Sequence, residues 1–268
     1  MRPYHHPVEP LVDVPRRTFL VRAGQGSIAL AVLTVAGCGP TALASAAAGS
    51  EEPTISGDGR GGGGGAPAAS PGAAVAWHRA NLGYVSAYIL ARAGEAAIVD
   101  TGVENSEGAI GQALSAAGLG WDAVGHIILT HRHRDHAGSI DAVLAAAKDA
   151  AAYAGAADIP AITTTQPLVA IGDGETVFGL RIVATPGHTM GHVAVLDEVG
   201  GLLVAGDALR TVGGTLSGSN PDFTDDMAEA KASVAKLGEL RYETLLVGHG
   251  DPILTGASAQ VAALAAAG

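Results

Sequence analysis

Apolar residues recur at Ile110, Ala113, Leu114 and Ala117, one face of a 3.6-residue helix, with Gly118 where a C-terminal cap belongs. The same spacing returns at Ile140, Val143, Leu144 and Ala147, and again at Met227, Ala230, Val234 and Leu237, where Thr224 is placed to cap the helix. A small-residue helix is predicted over 257–267. Apolar runs bounded by turn residues predict strands at 84–91 and 96–99 around Gly94, and at 127–130. Further strands are predicted at 176–178 and 181–185 around Gly179, at 193–196 and 202–205 around Gly200 and Gly201, and at 244–247, with a short extended piece near 161–165. No fixed-period repeat is evident. Short strands mixed with amphipathic helices predict a layered α/β arrangement with sheet between helices.

Composition narrows this picture. The chain has 268 residues, 48% hydrophobic but 4% aromatic, so its core has to be built from Ala, Val, Leu and Ile. Fifteen basic against 26 acidic residues give a formal charge of −11, a poor balance for holding nucleic-acid phosphates, and no nucleic-acid partner is expected. The apolar run at 28–36 is far shorter than the roughly 20 residues of a membrane span. It follows Arg16 and Arg17 in VPRRTFLVR, which resembles a twin-arginine export signal. The run leads into Val35, Ala36, Gly37 and Cys38, similar to a bacterial lipobox, whose cysteine is lipidated. Cys38 is the single cysteine, so neither an intrachain disulfide nor a thiolate zinc site is available.

The expected organisation is an export signal at residues 1–37, then a lipidated Cys38 and a flexible Gly/Pro/Ala-rich tether at 38–73, then one folded domain at 74–268. The expected location is the outer face of a bacterial cytoplasmic membrane or the periplasm, with the membrane engaged through Cys38. Loss of residues 1–37 removes Arg2, Arg16, Arg17, Arg22, Glu9 and Asp13, leaving 11 basic and 24 acidic residues and a charge of −13.

Candidate chemistry gathers just after predicted strands. His131, His133 and His136 follow IILT, His188 follows RIVATPG, His249 follows TLLVG, and Asp207 follows LLVAG. Strand ends are where a rigid scaffold presents functional groups, and core packing does not explain imidazole or carboxylate at four of them. Two apart in an extended segment, His131 and His133 point to one side, whereas Asp135 and His136 begin the next helix and can turn to a second point. Two adjacent metals are a natural outcome. Imidazole and carboxylate without thiolate suit zinc first, then iron or manganese. His78, His126 and His192 read as ordinary histidines, although His192 is close enough to His188 to support it. Arg132 and Arg134 read as solvated or gating residues. The segment 213–226, rich in turn formers, is expected to form one lip of a cleft, with Phe223 as a possible substrate contact.

The HRHRDH run at 131–136, PGHT at 186–189, the Gly206–Asp207 pair and GHG at 248–250 resemble, in spacing and order, the metallo-β-lactamase fold superfamily over residues 84–252. Carried over by position, the resemblance implies one metal on His131, His133 and His188, another on Asp135, His136 and His249, and Asp207 as the bridge. Asp100 in DTG resembles the family's supporting carboxylate. The implied fold is an αββα sandwich with the metal site at one edge. The implied activity is dinuclear zinc-dependent hydrolysis by a metal-bridging hydroxide of a small-molecule ester, thioester or lactone, with metal-bound water or Asp135 protonating the leaving group. The motifs are most similar to the glyoxalase II-like and lactonase-like branch, on the strength of Asp207. Beyond His249 the chain runs only to Gly268, so the helical glutathione-binding domain of glyoxalase II is not expected. The alternatives are a metallo-β-lactamase, a mononuclear-iron persulfide dioxygenase, and a non-catalytic zinc-binding envelope lipoprotein.

Overall fold

The computed structural model describes residues 72–268, all within the compact unit Gly62–Gly268. The expected export signal, Cys38 and the tether up to residue 71 lie outside the described residues.

Strands β1 (Ala76–Asn81), β2 (Ser86–Arg92) and β3 (Glu95–Val99) pair antiparallel in succession. From β3 the same sheet continues in parallel through β4 (Val124–Leu129), β5 (Ala151–Gly155) and β6 (Val169–Ile171). Parallel neighbours need crossovers. Helix α1 (Glu107–Ala116) provides the first, and α2 (Arg134–Ala137) with α3 (Ile140–Ala146) provides the second. Helix α1 ends on Gly118 at φ 74°, with Leu119 N–H donating to Leu114 O and Gly118 N–H to Ser115 O, the paired bonds of a Schellman stop.

The second sheet is a meander of β7 (Thr176–Val177), β8 (Leu180–Ala184), β9 (Val193–Asp197) and β10 (Leu202–Val204). A two-stranded ribbon, β11 (Leu209–Val212) and β12 (Thr215–Gly218), and helix α4 (Met227–Gly238) follow. The chain then returns along β10 as parallel strand β13 (Thr244–Leu246) and closes with helix α5 (Ala257–Ala267).

Three apolar layers hold these parts together, and the two-residue period of a strand explains them. Ile89, Ile98 and Ile127 face α1 and α3, meeting Ile110, Leu114, Ile140 and Val143. Tyr88, Leu90, Val99 and Ile128 point the other way, onto Leu180, Ile182, Val193 and Val195 of the second sheet. The far side of that sheet, through Val183, Leu196 and Leu245, packs on Val234, Leu237 and Val261 of the last two helices. The result is the expected αββα sandwich, and strands buried on both faces explain why their sequences read as continuous apolar runs.

The structure departs from the sequence reading at several elements. β1 and β5 were not expected: AWHRAN mixes polar residues into its alternation, and AAYAG has no β-branched residue. Pairing within the sheet, to β2 for the first and between β4 and β6 for the second, is what extends them. Residues 161–165 form no strand, and a short 3-10 turn, Ile159–Ala161, precedes them. The expected lip begins as the ribbon β11–β12, turned at Gly213 and Gly214 with φ of 57° and 81°. Asp226, not Thr224, caps α4, accepting from the N–H groups of Ala228 and Glu229 at 2.8 and 3.1 Å.

Candidate metal centre

Five strand ends open on one edge of the sandwich: Asp100 follows β3, His131 follows β4, His188 follows β8, Asp207 follows β10 and His249 follows β13. His133 stands at the N-terminus of α2, and Asp135 and His136 lie within it. The structure thereby brings all seven residues expected at the metals into one cluster.

The ligand atoms of His131, His133 and His188 lie within 4.8 Å of one another, as do those of Asp135, His136 and His249. His133 Nδ1 is 3.0 Å from both His131 Nε2 and His188 Nε2. His136 Nε2 and His249 Nε2 are 3.4 Å apart, and Asp135 Oδ2 is 3.3 Å from the latter. Asp207 stands between the two groups. Its Oδ1 is 3.2 Å from His136 Nε2, and its Oδ2 is 3.4 Å from His188 Nε2 and 3.2 Å from His249 Nε2. Gly248 leaves the room for this, since a Cβ there would lie 2.2 Å from Asp207 Oδ1 and 2.6 Å from His136 Cε1.

Outer hydrogen bonds set the imidazoles. His249 Nδ1–H donates to Tyr84 O at 2.7 Å, and His136 Nδ1–H donates to Asp100 Oδ2 at 2.8 Å, so both rings turn Nε2 inward. Thr130 gives its hydroxyl proton to Asp100 and accepts from His131 Nδ1 at 3.0 Å. Thr224 gives its own to Asn220 O and accepts from His188 Nδ1 at 3.2 Å.

Charge follows the same plan. Burial disfavours ionised Asp207, yet His136 and His249 hold its carboxyl well below the usual carboxylate range. Burial would lower His136, but Asp207 and Asp100 hold it well above its ordinary value. His249, also pushed down by burial, is carried up to about 10 by Asp135 and Asp207. Burial wins at His131, which lies well below its ordinary value, and at His188, lowered to about 4.

This donor set fits a cation. His131 and His188 are neutral with Nε2 lone pairs turned toward His133, whose Nδ1 can donate to only one of them. Buried Asp207 Oδ1, although near His136, makes no hydrogen bond of acceptable geometry. A divalent ion in each triad would satisfy these groups together and release the protons on His136 and His249.

The family model of the Metallo-beta-lactamase superfamily matches residues 80–249, from the end of β1 to the last histidine of the cluster. The chain belongs to the metallo-beta-lactamase superfamily. Its relatives in that superfamily include a protein of Bacillus subtilis (strain 168) named as a probable metallo-hydrolase, YflN, 31% identical over 201 residues that cover 58% of this chain and 75% of that protein. The hydroxyacylglutathione hydrolase of Acidiphilium cryptum (strain JF-5) is 36% identical over 171 residues, covering 61% of this chain and 63% of the enzyme. Among solved structures, TTHA1623 in a di-iron-bound form is 27% identical with a TM-score of 0.56, covering 66% of this chain and 93% of that one.

Around this superfamily site stand further residues, of which the sequence reading does not single out Asp158 and Tyr84. His192, fully buried and lowered to about 3 by burial, is neutral: its Nε2 accepts from Asp207 N–H at 3.1 Å while Nδ1 meets Thr185 Oγ1 at 2.7 Å. Asp158 is completely buried and ties the two histidine loops together, accepting from Arg132 N–H at 2.9 Å, Thr189 Oγ1 at 2.6 Å and Gly191 N–H at 2.9 Å. Arg132 also bonds Asp225 at 2.8 Å, so it braces the centre and is not a free gate. Tyr84 stacks on His249 with ring centroids 6.0 Å apart. Asp100 adopts φ 63°, a conformation that aspartate tolerates, and its carboxylate is spent on Thr130 and His136. His78 lies on β1, and His126 packs on Tyr153 and Phe178; neither belongs to the cluster. Phe223 is 65% exposed and borders the cleft instead of anchoring its loop in the core.

Proposed function

We propose that this chain is a dinuclear, zinc-dependent hydrolase of a small-molecule ester, thioester or lactone. The observation that carries the reading is Asp207, one carboxylate within 3.2 to 3.4 Å of histidines from both groups. His131, His133 and His188 would hold one ion and Asp135, His136 and His249 the other, with Asp207 shared. Divalent ions held there supply Lewis acidity, lowering the pKa of water toward about 7 and polarising a carbonyl. The donor set has no thiolate and suits zinc first; the di-iron form of TTHA1623 keeps iron as the second choice.

Asp135 is the proton carrier of this reading. Burial opposes its ionisation, but His249 and His136 keep its carboxyl below the ordinary range, so it stands ionised; its place beside the cleft is what lets it accept a proton during attack and pass it to the leaving group. No other acid is needed for an ester, thioester or lactone. The hydroxyacylglutathione hydrolases among the relatives favour an acyl substrate.

Elemental mass spectrometry of the purified chain, grown without added metal, tests the reading together with a panel of esters, thioesters, lactones and β-lactams. Close to two zinc ions per chain with acyl hydrolysis is the expected result. A single iron, or hydrolysis of β-lactams alone, replaces it with the corresponding alternative, and two metals without turnover of any class would leave a metal-binding protein.

We further propose export by the twin-arginine route and anchoring through lipidated Cys38, supported by VPRRTFLVR and the lipobox-like residues 35–38. Cys38→Ser is expected to move the protein from the membrane fraction to the soluble fraction, and unchanged partitioning would remove the anchor.

A further inference from the structure

A cleft of about 820 Å³ opens over His133, Asp135, Asp207 and His249, within the size range of small-molecule sites. Its upper wall is the outer ribbon. Side chains alternate along β11, and Leu209 and Thr211 are buried while Arg210 and Val212 share the opposite, less buried side; Arg210, Thr211 and Val212 all border the cleft. Arg134, exposed between His133 and Asp135, borders it as well.

These guanidinium groups stand apart from the other arginines near the site. Arg79 is paired with Asp251, and Arg132 with Asp158 and Asp225. Arg134 and Arg210 have no carboxylate partner among the described residues, and Arg210 Nε is buried without a hydrogen bond. Partial desolvation of an unpaired cation is costly and is compensated when an anion reaches it. Outside the metal cluster the cleft offers these two cations against one acid, Glu104, although the chain as a whole is acidic. Val103, Val212 and Phe223 supply apolar surface beside them.

We propose that Arg210, aided by Arg134, forms an anion subsite that selects acyl substrates carrying a carboxylate, with the apolar part of the substrate against Val103, Val212 and Phe223. The planar fork of a guanidinium matches a carboxylate with two parallel hydrogen bonds, a geometry that lysine does not provide. The inference rests on the hydrolase reading and deepens it: the metal cluster performs the reaction, and the ribbon chooses the substrate.

The test uses two matched pairs of thioesters on the metal-loaded full chain. One pair has the charge on the thiol side, S-acetyl mercaptoacetate against S-acetyl mercaptoacetamide. The other has it on the acyl side, the S-phenyl monothioester of adipic acid against its carboxamide. In at least one pair the carboxylate is expected to be preferred by about tenfold to a hundredfold in kcat/KM, chiefly through KM. Arg210→Gln is expected to erase the preference, and Arg210→Lys to retain part of it. Equal turnover within both pairs, a preference that survives Arg210→Gln, or equal loss on both members overturns the subsite. If no thioester is hydrolysed, the thioester form of the hydrolase reading fails separately. The subsite is then read by calorimetry with phenylbutyrate and phenylbutyramide, and tighter carboxylate binding lost in Arg210→Gln supports it, whereas equal binding of the two probes overturns it.

Discussion

Asp207→Asn is expected to lower kcat/KM on the best substrate by about a thousandfold or more, equivalent to roughly 4 kcal/mol of lost transition-state stabilisation. Asn keeps the shape of Asp and the backbone N–H that donates to His192, so the change is one of charge at a single point. That point is where both groups of histidines meet, and among the described residues no second carboxylate pairs with His188: Asp135 pairs with His249 and His136. An amide also offers one acceptor where two carboxylate oxygens stood, and its NH2 group has no lone pair to give a cation. Affinity for at least one of the two ions should therefore fall along with the rate. The check is kcat/KM with metal content measured on the same preparation, and circular dichroism to show that the fold is retained. Activity within tenfold of the wild type, at unchanged metal content, would show that the carboxylate is not shared between the two groups.

Much of this centre is readable in the sequence because its residues are clustered along the chain. His131, His133, Asp135 and His136 lie within six consecutive positions, and each of the others sits at a strand end marked by glycine. Strands buried on both faces write themselves as apolar runs, which is why β2, β4 and β9 were legible. The supporting residues leave no such trace. Asp158 joins loops on either side of it in sequence, and Thr224 reaches His188 across 36 positions. A lone polar residue has no period, and its partner exists only after folding. Arg210 illustrates the point from the other direction, because a single cation beside a glycine-rich turn looks like surface until the ribbon turns it onto the cleft. The short strand β5 fails for another reason. Ala and Gly carry little strand preference, and its place in the sheet comes from its neighbours.

Gly187→Ala is expected to cost about 3 kcal/mol or more of stability, the sum of backbone strain and overpacking, and to strip metal from the site. Gly187 adopts φ +124°, outside the ordinary range of an L side chain. A Cβ there would lie 2.1 Å from Ala230 N and 2.4 Å from Ala230 Cα, in the first turn of α4. Those atoms are backbone, so no rotamer change relieves the clash and the helix itself has to move. That movement reaches the metal centre by a short route. Asp226 N–H donates to Gly187 O at 2.9 Å and Asp225 N–H to His188 O at 3.1 Å, while Thr224, just ahead of the helix, holds His188 Nδ1. Displacing α4 therefore pulls away the support of one histidine and strains the loop that carries it. For a domain of this size the loss corresponds to a fall in Tm of about 10 °C. Gly108→Ala is the control, since its Cβ meets nothing within 4 Å inside α1 and alanine favours a helix. Thermal unfolding and metal analysis of the two variants decide the matter: a Gly187→Ala protein that melts and binds metal as Gly108→Ala does would mean that the glycine of the PGHT turn is not what seats α4 against His188.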